Sequence, residues 1–216
     1  MKACFFAFTI LAASLTSFGQ AQKDYPIQAI PFTNVKVNDN FWAPRLEINR
    51  TVTIPASFEQ CKTTGRIKNF EMAAAREGKF CTVYPFDDTD IYKTIEGASY
   101  SLKVHPDPKL EAYVDTLIML IKSAQEPDGY LYTARTINPL KVGSMVGAER
   151  WVKEREHSHE LYNAGHLYEA AYAHYLATGK KSLLNIALDN ANLIESVFGP
   201  TKRHVAPGHQ VIEMGL

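Results

Sequence analysis

Between residues 89 and 197 the chain reads as amphipathic helices taken in pairs, each pair joined by a short turn bearing Pro or Gly. Thr89 or Asp90 can cap a helix running to about Val104, and His105-Pro106-Asp107-Pro108 ends it. Lys109 to about Ala124 forms its partner. There Leu110, Val114, Leu117, Ile118 and Ile121 fall on one stripe at helical spacing. Pro127-Asp128-Gly129 then turns the chain. A second pair spans Ser158 to about Ala177, closed by Thr178-Gly179, and Lys181 to about Val197, closed by Gly199-Pro200. The pairs repeat in detail. Glu96-Gly97-Ala98 returns as Glu169-Ala170-Ala171, and Gly165-His166 returns as Gly208-His209, each near a helix start. A lone helical hairpin cannot bury its faces, so successive hairpins predict an all-α toroid or solenoid. Another helix begins at His209, and Leu216 falls one to two turns into it. The expectation is therefore an incomplete toroid, the N-terminal part of a longer domain.

The flanks read differently. Met1-Lys2, an uncharged run from Ala3 to Phe18, and small residues at Ser17 and Gly19 read as an export signal over residues 1–19. That run is shorter than the roughly 20 residues of a membrane span. The mature chain would be residues 20–216, secreted or periplasmic, without a membrane anchor. Residues 20–44 are irregular, with Val35-Lys36-Val37 alternating like a short edge strand. Residues 45–63 suit a helix in two pieces at Pro55, residues 64–88 a loop, and residues 131–157 a connection long enough to suggest function. Lys plus Arg and Asp plus Glu each number 23, so no basic field exists to attract nucleic acid. Cys61 and Cys81 remain after signal cleavage, as a disulfide or as two isolated buried thiols.

Chemistry concentrates on the helix after Ser158. Relative to His159, Asn163 lies about 40° and His166 about −20° around the helix. Ala170 and Ala173 continue this side, while Leu161, Tyr168, Tyr172 and Tyr175 mark the opposite, core side. A plain solvent face carries Lys and Glu. Imidazoles and an amide above small residues suit a cavity for paired sugar hydroxyls, or a polar face of satisfied histidines. His157 and His159 point about 200° apart if both are helical, so they cannot share a metal ion. No Cys-x-x-Cys pair, nucleophile elbow, Walker loop or dinucleotide fingerprint is present. Asp87, Asp88 and Asp90 suit helix capping. Asp88, Asp90, Glu160 and Glu213 are candidate carboxylates for glycoside hydrolysis, but spacing pairs none of them.

Several strings occur together in order: Asp87-Asp88-Thr89-Asp90-Ile91-Tyr92-Lys93 into Glu96-Gly97-Ala98-Ser99-Tyr100-Ser101-Leu102, Gln125-Glu126-Pro127-Asp128-Gly129-Tyr130-Leu131, Ser158-His159-Glu160-Leu161-Tyr162-Asn163-Ala164-Gly165-His166, and Gly208-His209 before Ile212-Glu213. Over residues 30–216 the chain resembles the N-terminal part of the catalytic domain of glycoside hydrolase family 127, the β-L-arabinofuranosidases. The resemblance implies an (α/α)6 barrel and a retaining hydrolase releasing L-arabinofuranose from plant oligo- or polysaccharides. It implies a cysteine nucleophile held on zinc with other cysteines and a glutamate, all in a later segment of the family's domain. No catalytic residue or zinc ligand is therefore expected in this chain. His166 and His209 match histidines expected to contact the arabinose, His159 an orienting residue behind them. Asp90 lies in a matching string and either caps its helix or holds a neighbouring loop. A glycan- or protein-binding helical-repeat module, and a helical-barrel glycosidase of other specificity, are the competing readings.

Overall fold

The computed structural model describes residues 27–28 and 30–216. The export-signal reading of residues 1–19 lies outside the described residues. Two units are distinguished. The first, ending at Val35, holds among its described residues one 3-10 turn, Phe32–Asn34. The second, from Lys36 to Leu216, carries the helices.

No strand occurs among the described residues, and the expected edge strand at 35–37 is exposed irregular chain. In the second unit, α1 (Trp42–Ile48) starts at Asp39, whose carboxylate accepts from the Phe41 N–H at 2.7 Å and from the Trp42 N–H. A wide π turn, Asn49–Thr53, leads into α2 (Ile54–Thr63). Pro55 thus falls in the first turn of α2, where a missing N–H costs no hydrogen bond. Residues 64–88 are not wholly a loop as expected, because Arg66–Ala75 forms α3. Its stripe of Ile67, Phe70 and Ala73 is buried, and left-handed Gly65 and Arg76 bracket it.

The paired helices follow their pattern. α4 (Asp88–Val104) and α5 (Pro108–Ala124) meet at Asp107, whose carboxylate accepts from Lys109 N at 3.0 Å and Leu110 N at 3.2 Å. α4 starts one residue before the expected cap at Thr89 or Asp90, with Asp87 at the N-cap. Within the long connection lies a single short turn of helix, α6 (Thr133–Thr136). α7 (Glu160–Thr178) ends at Gly179 with φ 74°, and α8 (Ser182–Val197) follows. The last element, α9 (Val211–Gly215), begins two residues after His209.

The contacts sort these helices into two layers. α2, α4, α7 and α9 pack in sequence as one layer, and α3, α5 and α8 as the other. Each hairpin contributes one helix to each layer, so the repeat of the sequence becomes the repeat of the fold. α4 and α7 form the most extensive pair. Ala98 and Ser99 on α4, and Ala164, Ala170, Ala171 and Ala173 on α7, are buried, and small side chains let helix backbones approach. α9 comes closer still: a Cβ on Gly165 would sit 2.7 Å from the Ile212 nitrogen.

The turn after α5 is fastened to α8. Gly129 has φ 94°, and a Cβ there would lie 2.2 Å from the Asp189 carbonyl oxygen. Asn190 donates to the Gly129 carbonyl at 3.0 Å, and Gln125 to that of Ile186 at 2.9 Å. Arg150 reaches back to Glu126 and Asp128 at 2.6 and 2.5 Å, so the long connection is tied down in its middle.

Candidate functional site

Of the residues singled out from sequence, His159, His166 and His209 gather at one end of the layer that holds α4, α7 and α9, around a side chain that was not among them. Tyr162, on the first turn of α7, places its ring 4.6 Å from that of His166 and 4.9 Å from that of His209. Phe86 and His159 each lie 6.2 Å from it. Lys93, from the first turns of α4, donates to the Tyr162 hydroxyl at 2.7 Å and to Thr89 Oγ1 at 3.3 Å. Helices α4 and α7 and the segments before α4 and α9 therefore meet on one ring.

His166 is half-buried, and its Nδ1 has no hydrogen-bond partner among the described residues. Burial, the Lys93 ammonium and the neighbouring His209 push its pKa down to about 4. The ring is neutral near pH 7, with one nitrogen to donate and one to accept. His209 is exposed, and its Nδ1 faces the Val211 N–H at 3.4 Å, which leaves Nε2 directed away from α9.

His159 sits behind these two. It is the N-cap of α7 rather than its first turn, with φ 50°, a strained value for a residue with a Cβ. Its ring packs on Phe86 at 5.2 Å. Gly208 lies against it so closely that a Cβ there would come within 2.2 Å of His159 Nδ1. The glycine of Gly208-His209 is thus a packing requirement. Buried Glu154 completes the joint, accepting from Gly208 N at 3.2 Å and Leu161 N at 3.1 Å. One carboxylate holds both the start of α7 and the segment that carries His209.

The other candidates make their hydrogen bonds elsewhere or none, although the Asp90 carboxylate lies near enough to act on the charge of His166. Asn163 is buried, and neither its Oδ1 nor its Nδ2 finds a partner among the described residues. Asp90 does not cap α4; it accepts from Arg66 Nε at 2.7 Å, joining α4 to α3. Asp88 is buried and accepts from Thr133 N at 2.8 Å and Thr133 Oγ1 at 2.5 Å. Glu160 is buried and accepts from Tyr130 Oη at 2.5 Å, Trp151 N at 2.7 Å and Ser158 Oγ at 3.1 Å. Burial pushes both carboxyls up to about 7. These two acids hold loops onto helix starts, and Glu213 is exposed on α9.

The zinc implied by the resemblance does not fit the residues present. Among the described residues no three His, Cys, Asp or Glu side chains converge on one point. Cys61 and Cys81 are free thiols, one buried on α2 and the other exposed after α3.

Comparison with known proteins gives this geometry a family. The profile of the β-L-arabinofuranosidase catalytic domain of glycoside hydrolase family 127 matches residues 34–216. A non-reducing end β-L-arabinofuranosidase of Bifidobacterium longum subsp. longum is 42% identical over 134 residues, which is 61% of this chain and 20% of that protein. The solved structure of a family 127 β-arabinofuranosidase superposes with a TM-score of 0.84 at 51% identity, covering 88% of this chain and 31% of that one. The family 127 β-L-arabinofuranosidase of Geobacillus stearothermophilus T6 does so with a TM-score of 0.77 at 37% identity, covering 84% and 29%. The chain thus spans about a fifth of the curated relative and about three tenths of the solved ones. Its all-helical architecture is that of these neighbours, whose fold is of (α/α)6 type. By the profile match, over most of its length, this chain belongs to glycoside hydrolase family 127, within the catalytic domain.

Proposed function

We propose that the protein takes part in hydrolysis of β-linked L-arabinofuranosides from plant glycans, and that this chain supplies part of the sugar-binding wall. The observation that carries the reading is the placement of His166 and His209 on two sides of Tyr162, with His166 held neutral by its surroundings. A neutral imidazole accepts from one hydroxyl and donates to another, as a polyhydroxylated ring requires. His159, Gly208 and Glu154 set the angle between the two histidines and so position them. Asp90 acts through Arg66 on the framework, and Asn163 lies in the packed wall behind the cluster. In this reading the residues described here hold and orient the sugar. The partner is an oligo- or polysaccharide carrying L-arabinofuranose. The reading of residues 1–19 as an export signal places it outside the cytoplasm, and a mature N-terminus at Gln20 is its test.

The test of the site is His166→Ala in the full-length protein, assayed on a β-L-arabinofuranoside. Loss of one or two neutral hydrogen bonds removes about 1–3 kcal/mol of transition-state binding, so kcat/KM falls roughly ten- to hundredfold. A variant with wild-type kcat/KM overturns the assignment. A full-length protein that binds arabinofuranosides without cleaving them identifies a binding module instead.

A further inference from the structure

Lys93 is the one cation that touches the ring at the centre of the cluster, and its placement is unusual. It is exposed on α4 and forms no ion pair among the described residues. The acids nearest it in sequence are committed elsewhere, because Arg66 donates to Asp90 at 2.7 Å and approaches Asp87 at 3.4 Å. An exposed lysine without a carboxylate ordinarily extends into water, where its ammonium keeps its hydration and its stem keeps its rotamers. This one instead reaches across to α7. It donates to Tyr162 Oη at 2.7 Å, with the ammonium 5.0 Å from the centre of the ring, within cation–π range. A second donor goes to Thr89 Oγ1, one turn back on its own helix, at 3.3 Å.

The contact matters through what the ring supports. Tyr162 meets His166 nearly edge-on, at 87°, and His209 at a tilt of 56°. A tyrosine held only at its backbone can swing about its side-chain bonds. Held also at its oxygen, it gives both imidazoles a surface of fixed tilt. The ammonium has a second effect, on charge. The groups that act on His166 are Lys93 and Asp90 from α4 and His209 from the segment before α9. Burial, then Lys93 and His209, disfavour its protonation, and Asp90 alone favours it. We infer that Lys93 is a positioning residue of the histidine cluster, pinning the Tyr162 ring by its hydroxyl and setting an unpaired positive charge beside it. The inference rests on the arabinofuranosidase reading for its consequence, which is that sugar hydroxyls meet two imidazoles at a set angle.

The test is a double-mutant cycle in the full-length protein. Lys93→Met keeps the stem and removes the charge and the donor, and Tyr162→Phe keeps the ring and removes the hydroxyl. Each lowers kcat/KM on a β-L-arabinofuranoside about tenfold, as expected for one lost hydrogen bond to a charged group. Both remove the same bond, so the double variant also falls about tenfold rather than about a hundredfold. A second readout needs no substrate. In protein carrying isotope-labelled histidine, with His166→Gln identifying the signal, Lys93→Met moves the NMR titration midpoint of His166 to higher pH. Lys93→Arg, which keeps the charge, leaves that midpoint in place. Single losses below about twofold, losses that multiply in the double variant, or a His166 titration that Lys93→Met does not move each overturn the inference. A wild type that cleaves no arabinofuranoside overturns the reading above alone, and the titration then decides the role of Lys93.

Discussion

At the scale of single residues, the buried acids that hold loops onto helix starts have pKa values raised toward neutrality by their burial. Glu160 accepts three hydrogen bonds in a buried pocket, and its pKa rises from 4.5 to about 7. Between those values the folded state binds more protons than the unfolded one. The stability this group contributes is therefore complete below about pH 4.5 and is lost as pH rises through 7. Glu160→Gln stays neutral throughout; its amide oxygen can still accept from Trp151 N and Ser158 Oγ, while its N–H replaces the oxygen that accepts from Tyr130, whose hydroxyl must turn to accept instead. Its melting temperature should gain on the wild type between pH 5 and 8, by the equivalent of up to about 3 kcal/mol. A difference constant across that range would show that Glu160 is ionised in the fold. Tyr162 teaches something else at this scale. It was not among the residues picked from sequence, because a tyrosine one turn into an apolar helix reads as core. Only the meeting of Lys93, Phe86, His166 and His209 on its ring reveals its place.

At the scale of elements, two glycines inside helices, Gly97 on α4 and Gly165 on α7, behave oppositely. Gly165 lies against α9 with backbone atoms 2.7 Å from where a Cβ would stand, whereas a Cβ on Gly97 meets nothing within 4 Å. Gly165→Ala should push α7 and α9 apart at a cost of about 1–3 kcal/mol, lowering the melting temperature by roughly 3–10 °C. Gly97→Ala should raise stability by about 0.5–1 kcal/mol through helix propensity. Thermal melts of the two variants check both signs. The helical hairpins were legible because α5 and α8 keep one apolar stripe each, and Asp107 and Gly179 mark their turns. The faces of α7 were not. The polar side assigned to Asn163, Ala170 and Ala173 is buried, while Tyr172, assigned to the core, is 60% exposed. An inner helix packed on α4, α8 and α9 has too little solvent face for the amphipathic rule to orient it. α3 was lost for a simpler reason: a ten-residue helix lying between Gly65 and Gly78 carries too short a stripe to outweigh the turn signals. The start of α7 shifted because no local pattern announces a histidine at φ 50°.

At the scale of the whole chain, two groups of exposed apolar side chains stand out among the described residues. Phe41, Trp42, Leu46, Ile48 and Val52 are exposed along α1 and the π turn after it. Met214 and Leu216 flank a groove of about 390 Å³ over Tyr168, Tyr172, Leu188 and Ala191. Contiguous patches of this kind favour association. Residues 20–216 expressed alone should elute in size-exclusion chromatography well above the mass of one chain; a clean monomer would show that these faces tolerate water. The histidine cluster has a further consequence, in the thermodynamics of linkage. Its walls come from α4, α7 and the segments before α4 and α9, so a sugar bound there braces pieces that unfolding would separate. Ligand that binds only the folded form adds RT ln(1 + [L]/Kd) to stability, about 2.7 kcal/mol at a hundredfold excess over Kd. Free L-arabinose should accordingly raise the melting temperature of the full-length protein in proportion to the logarithm of its concentration. His166→Ala should flatten that slope, which makes the site readable as heat resistance even where no bond is cleaved.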